Sequence, residues 1–158
     1  PNCIAVHEWV ARSELSDVIL ENDVVFGIFG TSEKANSVVP YKLVHGLAHA
    51  RTVITAETAA VDTMLRAGHD CLTTPVADAT ALCRALEGLR DCPRLLEMTS
   101  RAGRRRFETS FSAEAIGARL LAVLDSIRGE QWQAPAIASP DAEPTRLAAA
   151  CAAESEAS

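Results

Sequence analysis

The sequence has few aromatic residues and lacks the short motifs of the common nucleotide-binding and hydrolytic folds. Phe, Trp and Tyr make up 4% of the 158 residues, whereas 48% are hydrophobic, so a core must be built mainly from Val, Leu, Ile and Ala. Neither G-x-G-x-x-G nor G-x-x-x-x-G-K-[ST] occurs, which excludes the dinucleotide-binding and P-loop fingerprints. A G-x-S-x-G elbow is also absent, so a serine hydrolase triad lacks its nucleophile.

Positive charge and long apolar runs are scarce as well. The formal net charge is −6, and because nucleic-acid-binding proteins carry the opposite balance, the sequence predicts no nucleic-acid partner. No run of about 18 apolar residues occurs, so no membrane-spanning helix is expected. The first residues lack the basic flank and the apolar run of a secretory signal.

The cysteines are odd in number and scattered, with no C-x-x-C pair. This spacing indicates neither a disulfide framework nor a zinc site, and it favours a reducing compartment such as the cytoplasm. The five positions are Cys3, Cys71, Cys83, Cys92 and Cys151.

Apolar runs typical of buried strands alternate with helical patterns along the chain. The strand-like runs cover residues 3–6, 23–30, 52–55 and 70–75. Strand–helix alternation predicts an α/β fold, a partial Rossmann-like parallel sheet with flanking helices. Only four strands are visible where such a sheet has about six, so we expect an upstream part to be missing.

The predicted helices carry recognisable start signals. One helix is expected at residues 39–50, with Pro40 in its first turn. Later helices are expected to begin near Asp78, Pro93 and Ser112 because these residues stand just before periodic apolar patterns.

The composition changes after residue 128. Residues 129–158 are rich in Ala and Pro and carry five acidic residues against one arginine. Such a segment cannot bury enough apolar surface to offset chain ordering, so it is predicted to be a disordered acidic tail. Residues 1–128 are predicted to form the domain.

The stretch "GIFGTSEKANSVVPYK" is the main candidate for a binding site. A strand ends at residues 27–30, a polar loop follows, and a helix begins near Val39, with Pro40 in its first turn and Lys42 nearby. Free amides and the helix dipole at such a position attract phosphate. Two interpretations stay open on these grounds: a phosphate site, or an ordinary βα turn with a solvated lysine.

Two other clusters favour structural interpretations. His45 and His49 stand four residues apart on one helix, but no third ligand or following Glu supports a metal site. We expect one histidine to line a cleft and the other to lie on the surface. The arginines of "RAGRRRF" are expected on a solvated helix face, paired with Glu97 and Glu108.

The order of these pieces resembles a known family. "NDVVFGIFG", "VVPYKLVHGLAHARTVITAET" and "MLRAGHDCLTTPVADATALCRAL" are similar to the C-terminal, donor-binding domain of GT-B retaining glycosyltransferases of the large group-one family. The resemblance covers about residues 3–128. The matching positions are Pro40, Lys42, Leu47, Ala48, Gly68, Asp70, Pro75 and Asp78.

The resemblance implies the C-terminal half of a GT-B fold that binds a nucleoside-diphosphate sugar and takes part in sugar transfer to an acceptor. It implies neither a metal nor another cofactor, and it indicates no catalytic residue. Helix amides and a lysine would face the diphosphate, and the ribose position is His45. The donor-binding residues carried over by position are Gly30, Ser37, Val38, Val39, Pro40, Lys42 and His45.

The sequence departs from the family pattern at two positions of this helix. His45 stands where the family has Glu, and Tyr41 stands where Asn is common. A neutral imidazole cannot accept from two ribose hydroxyls as a carboxylate can. The alternative is therefore a degenerate, non-catalytic domain that binds a nucleotide or a partner. A receiver-like or flavodoxin-like signalling domain is a further alternative, but residues 1–10 lack the paired acids of a receiver.

The resemblance also implies partners. The acceptor-binding N-terminal domain of the family is not in this sequence and would have to act in cis or in trans. Peripheral membrane association, through the acceptor, is a further implication.

Overall fold

The computed structural model describes residues 8–128, and within them the chain is an α/β domain, as predicted. The expected strand at 3–6 and the expected tail at 129–158 lie outside the described residues. The helices are α1 (Leu15–Leu20), α2 (Glu33–Ser37), α3 (Tyr41–Ala48), α4 (Ala59–Met64), α5 (Ala79–Asp91), α6 (Pro93–Ser110) and α7 (Ala113–Arg128). The strands are β1 (Val24–Phe26), β2 (Thr52–Ala56) and β3 (Leu72–Thr74).

The three strands form one parallel sheet in the order β1-β2-β3, which confirms the parallel sheet expected from strand–helix alternation. Val25 pairs with Val53, and Ile54 pairs with Leu72. Every residue of the central strand β2 is buried, as expected of a parallel strand covered on both faces. Within residues 8–128, no strand pairs with the outer edge of β1.

Helices α3 and α6 pack against each other, and both contact β2. Gly46 allows the close approach of α3, because a Cβ there would lie 2.8 Å from Val53 Cγ2 and 3.0 Å from Val25 Cβ. Gly103 does the same for α6, since its Cβ would lie 2.6 Å from Leu47 Cδ2. The buried apolar core between these elements consists of Leu43, Leu47, Val53, Val61, Leu65 and Cys71.

Residue contacts divide the chain into two compact units, with a boundary after Leu120. Within the described residues the first unit holds the sheet and the elements from α1 to α6, together with the first half of α7. The second unit is represented by the remaining half of α7, which exposes the apolar side chains of Leu121, Val123 and Ile127.

The helix predicted at residues 39–50 begins and ends within narrower bounds, at Tyr41 and Ala48. Residues 38–40 all lie outside the helix, and Val38 and Pro40 have extended backbone angles. The physical reason is local: β-branched residues favour extended backbone, and a residue before proline is driven out of the helical region.

The predicted polar loop before this helix contains a short helix, α2. Ser32 is its N-cap, and its hydroxyl accepts from the Ala35 amide at 3.2 Å.

Three predicted helix starts are confirmed. The Asp78 carboxylate accepts from the Ala81 amide at 2.9 Å at the start of α5, and Pro93 opens α6. The Ser112 hydroxyl accepts from the Ala115 amide at 3.1 Å at the start of α7. These caps satisfy amides that have no partner within the helix.

Candidate functional site

The candidate site begins where β1 ends, because ligands of parallel sheets bind outside the carboxyl ends of the strands. The chain stays close to β2 after β1: the Gly27 amide donates to the Ile54 carbonyl at 2.8 Å. A side chain at Gly27 would overlap that of Thr55, so only glycine allows this approach. The backbone then reaches the exposed Gly30 and turns through α2 toward α3.

The N-terminus of α3 lacks a side-chain cap. Pro40 occupies the N-cap position and has no hydroxyl or carboxylate to offer. The amides of Tyr41 and Lys42 therefore belong to the first turn, where the positive end of the helix dipole lies. Ser37, Val38 and Val39, which the resemblance carries over as donor-binding, lie before this helix start.

A cavity of about 530 Å³ opens beside this helix end. Side chains of α1 form one wall, Val25 of β1 contributes from the sheet, and α3 forms the other wall. Its volume lies within the range of small-molecule sites. The lining residues are Arg12, Leu15, Ile19, Val25, Tyr41, Lys42 and His45.

The α3 wall carries a row of three rings. The Tyr41 and His45 rings meet edge to face with centroids 4.4 Å apart, and the His45 and His49 rings stack at 6.4 Å. The Nδ1 atom of His49 donates to the His45 carbonyl at 2.8 Å, which ties that ring to the end of the helix. His45 alone of the two histidines lines the cavity. The residues described, 8–128, contain no group of three or more His, Cys, Asp or Glu arranged for a metal.

The structure brings two of the seven predicted donor-binding residues, Lys42 and His45, into the cavity. Pro40 immediately precedes the α3 wall, and Val39 packs against the hydrophobic core. The other three lie in the segment that leads to α3 and are absent from the cavity lining: Gly30, Ser37 and Val38.

Two cations line the cavity, and the sequence indicated only one of them, Lys42. Within the described residues, neither Arg12 nor Lys42 has an ion-pair partner or a side-chain hydrogen bond. Arg12 was missed because it lies in the turn before α1 and belongs to no periodic pattern or motif. Only the folded arrangement shows that it shares a cavity with α3.

A second polar cluster lies at the amino end of β3. The start of α3 lies at the other end of the parallel strands. The buried carboxylate of Asp70 accepts from Arg66 Nη2 at 2.8 Å, from Arg66 Nε at 3.1 Å and from His69 Nδ1 at 2.7 Å. Burial alone would raise the pKa of Asp70, but these hydrogen bonds and the Arg66 charge outweigh burial and lower the pKa to about 2. Asp70 is thus an anchor of the fold.

The arginines of α6 have mostly structural partners. Arg101 pairs with Glu97 at 2.6 Å and Arg104 with Glu108 at 2.7 Å, which confirms the predicted pairing. Arg106 donates to the Met64 carbonyl at 2.6 Å.

None of the helices between residues 8 and 128 combines the length and the apolar character needed to cross a bilayer.

Comparison with known proteins shows the fold but not a sequence family. No family model matches the sequence, and no curated protein does so. Nine chains of solved structures match, among them the crystal structure of HepE from Anabaena in complex with UDP. That match has a TM-score of 0.60 and 12% sequence identity, and it covers 73% of this chain and 30% of the HepE chain. The chain therefore shares the fold of one part of HepE and spans about 30% of that protein's length.

Proposed function

We propose that this chain is the nucleotide-sugar-binding part of a glycosyltransferase, which acts on a nucleoside-diphosphate sugar and an acceptor. The observation that carries the proposal is the uncapped N-terminus of α3, where Lys42 lines a cavity of about 530 Å³. The shared fold with HepE, which was solved with UDP, supports a uridine nucleotide as the first candidate.

The chemistry of the helix end suits a diphosphate. In sugar transfer, the bond between the anomeric carbon and the diphosphate oxygen breaks, and the nucleoside diphosphate leaves with the electron pair. The acceptor oxygen forms the new bond and loses its proton. The amides of Tyr41 and Lys42, with the Lys42 ammonium, would stabilise the charge that grows on the leaving diphosphate.

The matching part of HepE is less than a third of that protein, which supports the proposal that transfer needs more than the elements described here. We propose that an acceptor-binding domain completes the site, in cis or in trans. Holding two reactants across a cleft supplies much of the rate enhancement of a transfer reaction.

A second candidate function is a degenerate domain that binds a nucleotide without transferring a sugar. His45 favours it, because the imidazole lines the cavity at the proposed ribose position and has its ring against Tyr41. One imidazole nitrogen offers a single hydrogen bond to a ribose, where a carboxylate offers two.

The test of nucleotide binding uses the two lysines of the sequence. Lys42→Ala should weaken UDP binding by roughly 1–3 kcal/mol, the scale of a charge-assisted hydrogen bond. Lys34→Ala is the matched control, because Lys34 is an exposed lysine of α2 that does not line the cavity. Isothermal titration calorimetry on folded variants measures both affinities. Equal UDP affinity for Lys42→Ala and Lys34→Ala would remove Lys42 from the site.

A separate experiment distinguishes the two candidate functions. If UDP binds but no sugar is transferred in the presence of an acceptor-binding domain, the degenerate function is supported. Saturable transfer under the same conditions would support the transferase.

A further inference from the structure

We propose that Arg12 is the second phosphate-binding cation of the cavity and faces the diphosphate of the nucleotide together with Lys42. This inference rests on the proposed function, and it assigns a residue that neither the sequence pattern nor the resemblance indicated.

The position of Arg12 is fixed by the turn that precedes α1. The Glu14 and Leu15 amides donate to the Ala11 carbonyl at 2.9 and 3.1 Å, so the turn continues directly into the helix. Leu15 and Ile19 of that helix line the same cavity as Arg12. The α1 wall thus presents two apolar side chains with a guanidinium next to them, and Lys42 comes from the α3 wall.

The guanidinium has no competing partner nearby. Acidic residues occur on and beside α1, yet among residues 8–128 none lies within ion-pair distance of Arg12. Five other arginines of residues 8–128 do pair with a carboxylate, among them Arg66, Arg101 and Arg104. An unpaired cation beside a largely apolar cavity is available for an anion that enters the cavity.

The charge of the ligand also calls for a second cation. A terminal phosphate carries about −1.5 to −2 charges near pH 7, and the inner phosphate of a diphosphate adds roughly one more. Lys42 supplies one positive charge, and the N-terminus of α3 supplies roughly half of one. Arg12 would offset most of the remaining charge, and its planar fork can donate two hydrogen bonds to phosphate oxygens.

The test compares ligands that differ only in their phosphates. Arg12→Gln is prepared in the full chain of 158 residues and titrated calorimetrically with UDP, UMP and uridine. Arg84→Gln is the matched control, because Arg84 is exposed on α5, has no ion-pair partner among residues 8–128, and loses the same charge. Circular dichroism establishes that both variants are folded.

We expect Arg12→Gln to weaken UDP binding about 10-fold, to weaken UMP binding less, and to leave uridine binding within about twofold of wild type. Arg12→Lys should recover part of the UDP affinity, since it restores the charge but not the fork. Arg84→Gln should leave all three affinities unchanged.

Each remaining outcome overturns a specific statement. If wild type binds UDP in a Lys42-dependent manner and Arg12→Gln binds it equally well, the inference about Arg12 is wrong. If Arg12→Gln weakens uridine as much as UDP, the residue shapes the cavity and does not bind phosphate. If wild type binds no nucleoside diphosphate, both the proposed function and this inference fall.

Discussion

The substitution Asp70→Asn tests how much one buried carboxylate contributes to the free energy of unfolding. The side chain is 0% exposed and accepts hydrogen bonds from the Arg66 side chain, the Arg66 amide and His69. The pKa of Asp70 falls from 3.8 to about 2 on folding. At about 1.36 kcal/mol per pH unit, and with some allowance for the solvent exposure of Arg66, the ionised carboxylate contributes about 2 kcal/mol.

The sign of the pH dependence follows from the lowered pKa. An unfolded Asp binds its proton near pH 4, whereas the folded one stays ionised to about pH 2. The contribution is therefore complete above about pH 4 and is lost as the pH falls through about 2. Asp70→Asn should lack this part of the pH dependence, because an amide does not titrate.

Urea unfolding followed by far-ultraviolet circular dichroism measures the effect. Asp70→Asn should lower the free energy of unfolding by about 2 kcal/mol at about pH 7, and the difference from wild type should shrink toward about pH 2. Asp91→Asn is the matched control, because Arg90 donates to Asp91 through the same two kinds of nitrogen atom, but the Asp91 side chain is 65% exposed. Equal losses in the free energy of unfolding for both variants would refute the argument that burial strengthens the contribution of Asp70 to stability.

Three further predictions concern packing, thiol reactivity and activity. Gly103→Ala should destabilise the protein by about 1–2 kcal/mol, because the new Cβ would lie 2.8 Å from a backbone oxygen. Gly88→Ala meets open space and should stabilise α5 by up to about 1 kcal/mol, and urea unfolding measures both changes in the free energy of unfolding. Burial raises the pKa of the Cys71 thiol to about 12, so an alkylating reagent near neutral pH should label the exposed Cys83 and Cys92 well before Cys71. Mass spectrometry measures the order of labelling, and early labelling of Cys71 would contradict its burial. The chain alone should show no saturable sugar transfer from a panel of nucleoside-diphosphate sugars, and turnover by the isolated monomer would refute the need for a second domain.

Much of the fold could be predicted from the sequence because its elements have strong periodic signals. The run at 52–55 predicted the central strand almost to its observed bounds of Thr52–Ala56. The run at 23–30 predicted β1, but the observed strand ends at Phe26. The residues after Phe26 are apolar and stay in contact with β2, since the Gly27 amide donates to the Ile54 carbonyl. An apolar run in the sequence does not distinguish a hydrogen-bonded strand from an extended loop that lies beside one.

The start of α3 could not be placed from periodicity alone. Val38 and Val39 fit the apolar spacing of the helix, and Val39 does pack against the core. Their backbone is nevertheless outside the helix, because the preference of a residue before Pro40 for extended angles outweighs the apolar pattern. The later start leaves Ser37, Val38 and Val39 before the helix and puts the amides of Tyr41 and Lys42 in its first turn.

The residues that line the cavity differ in whether the sequence alone could identify them. Lys42 and His45 could be found because both stand on one helix with a recognisable start and a family resemblance. Arg12 could not, because its place depends on α1 coming to lie beside α3 at β1, the outer strand of the sheet in residues 8–128. The strand order that leaves β1 unpaired there is also what puts the cavity at the edge of the sheet. If, as proposed, the cavity binds the nucleotide sugar and a separate domain supplies the acceptor, residues 1–158 alone should bind the nucleotide without turning it over.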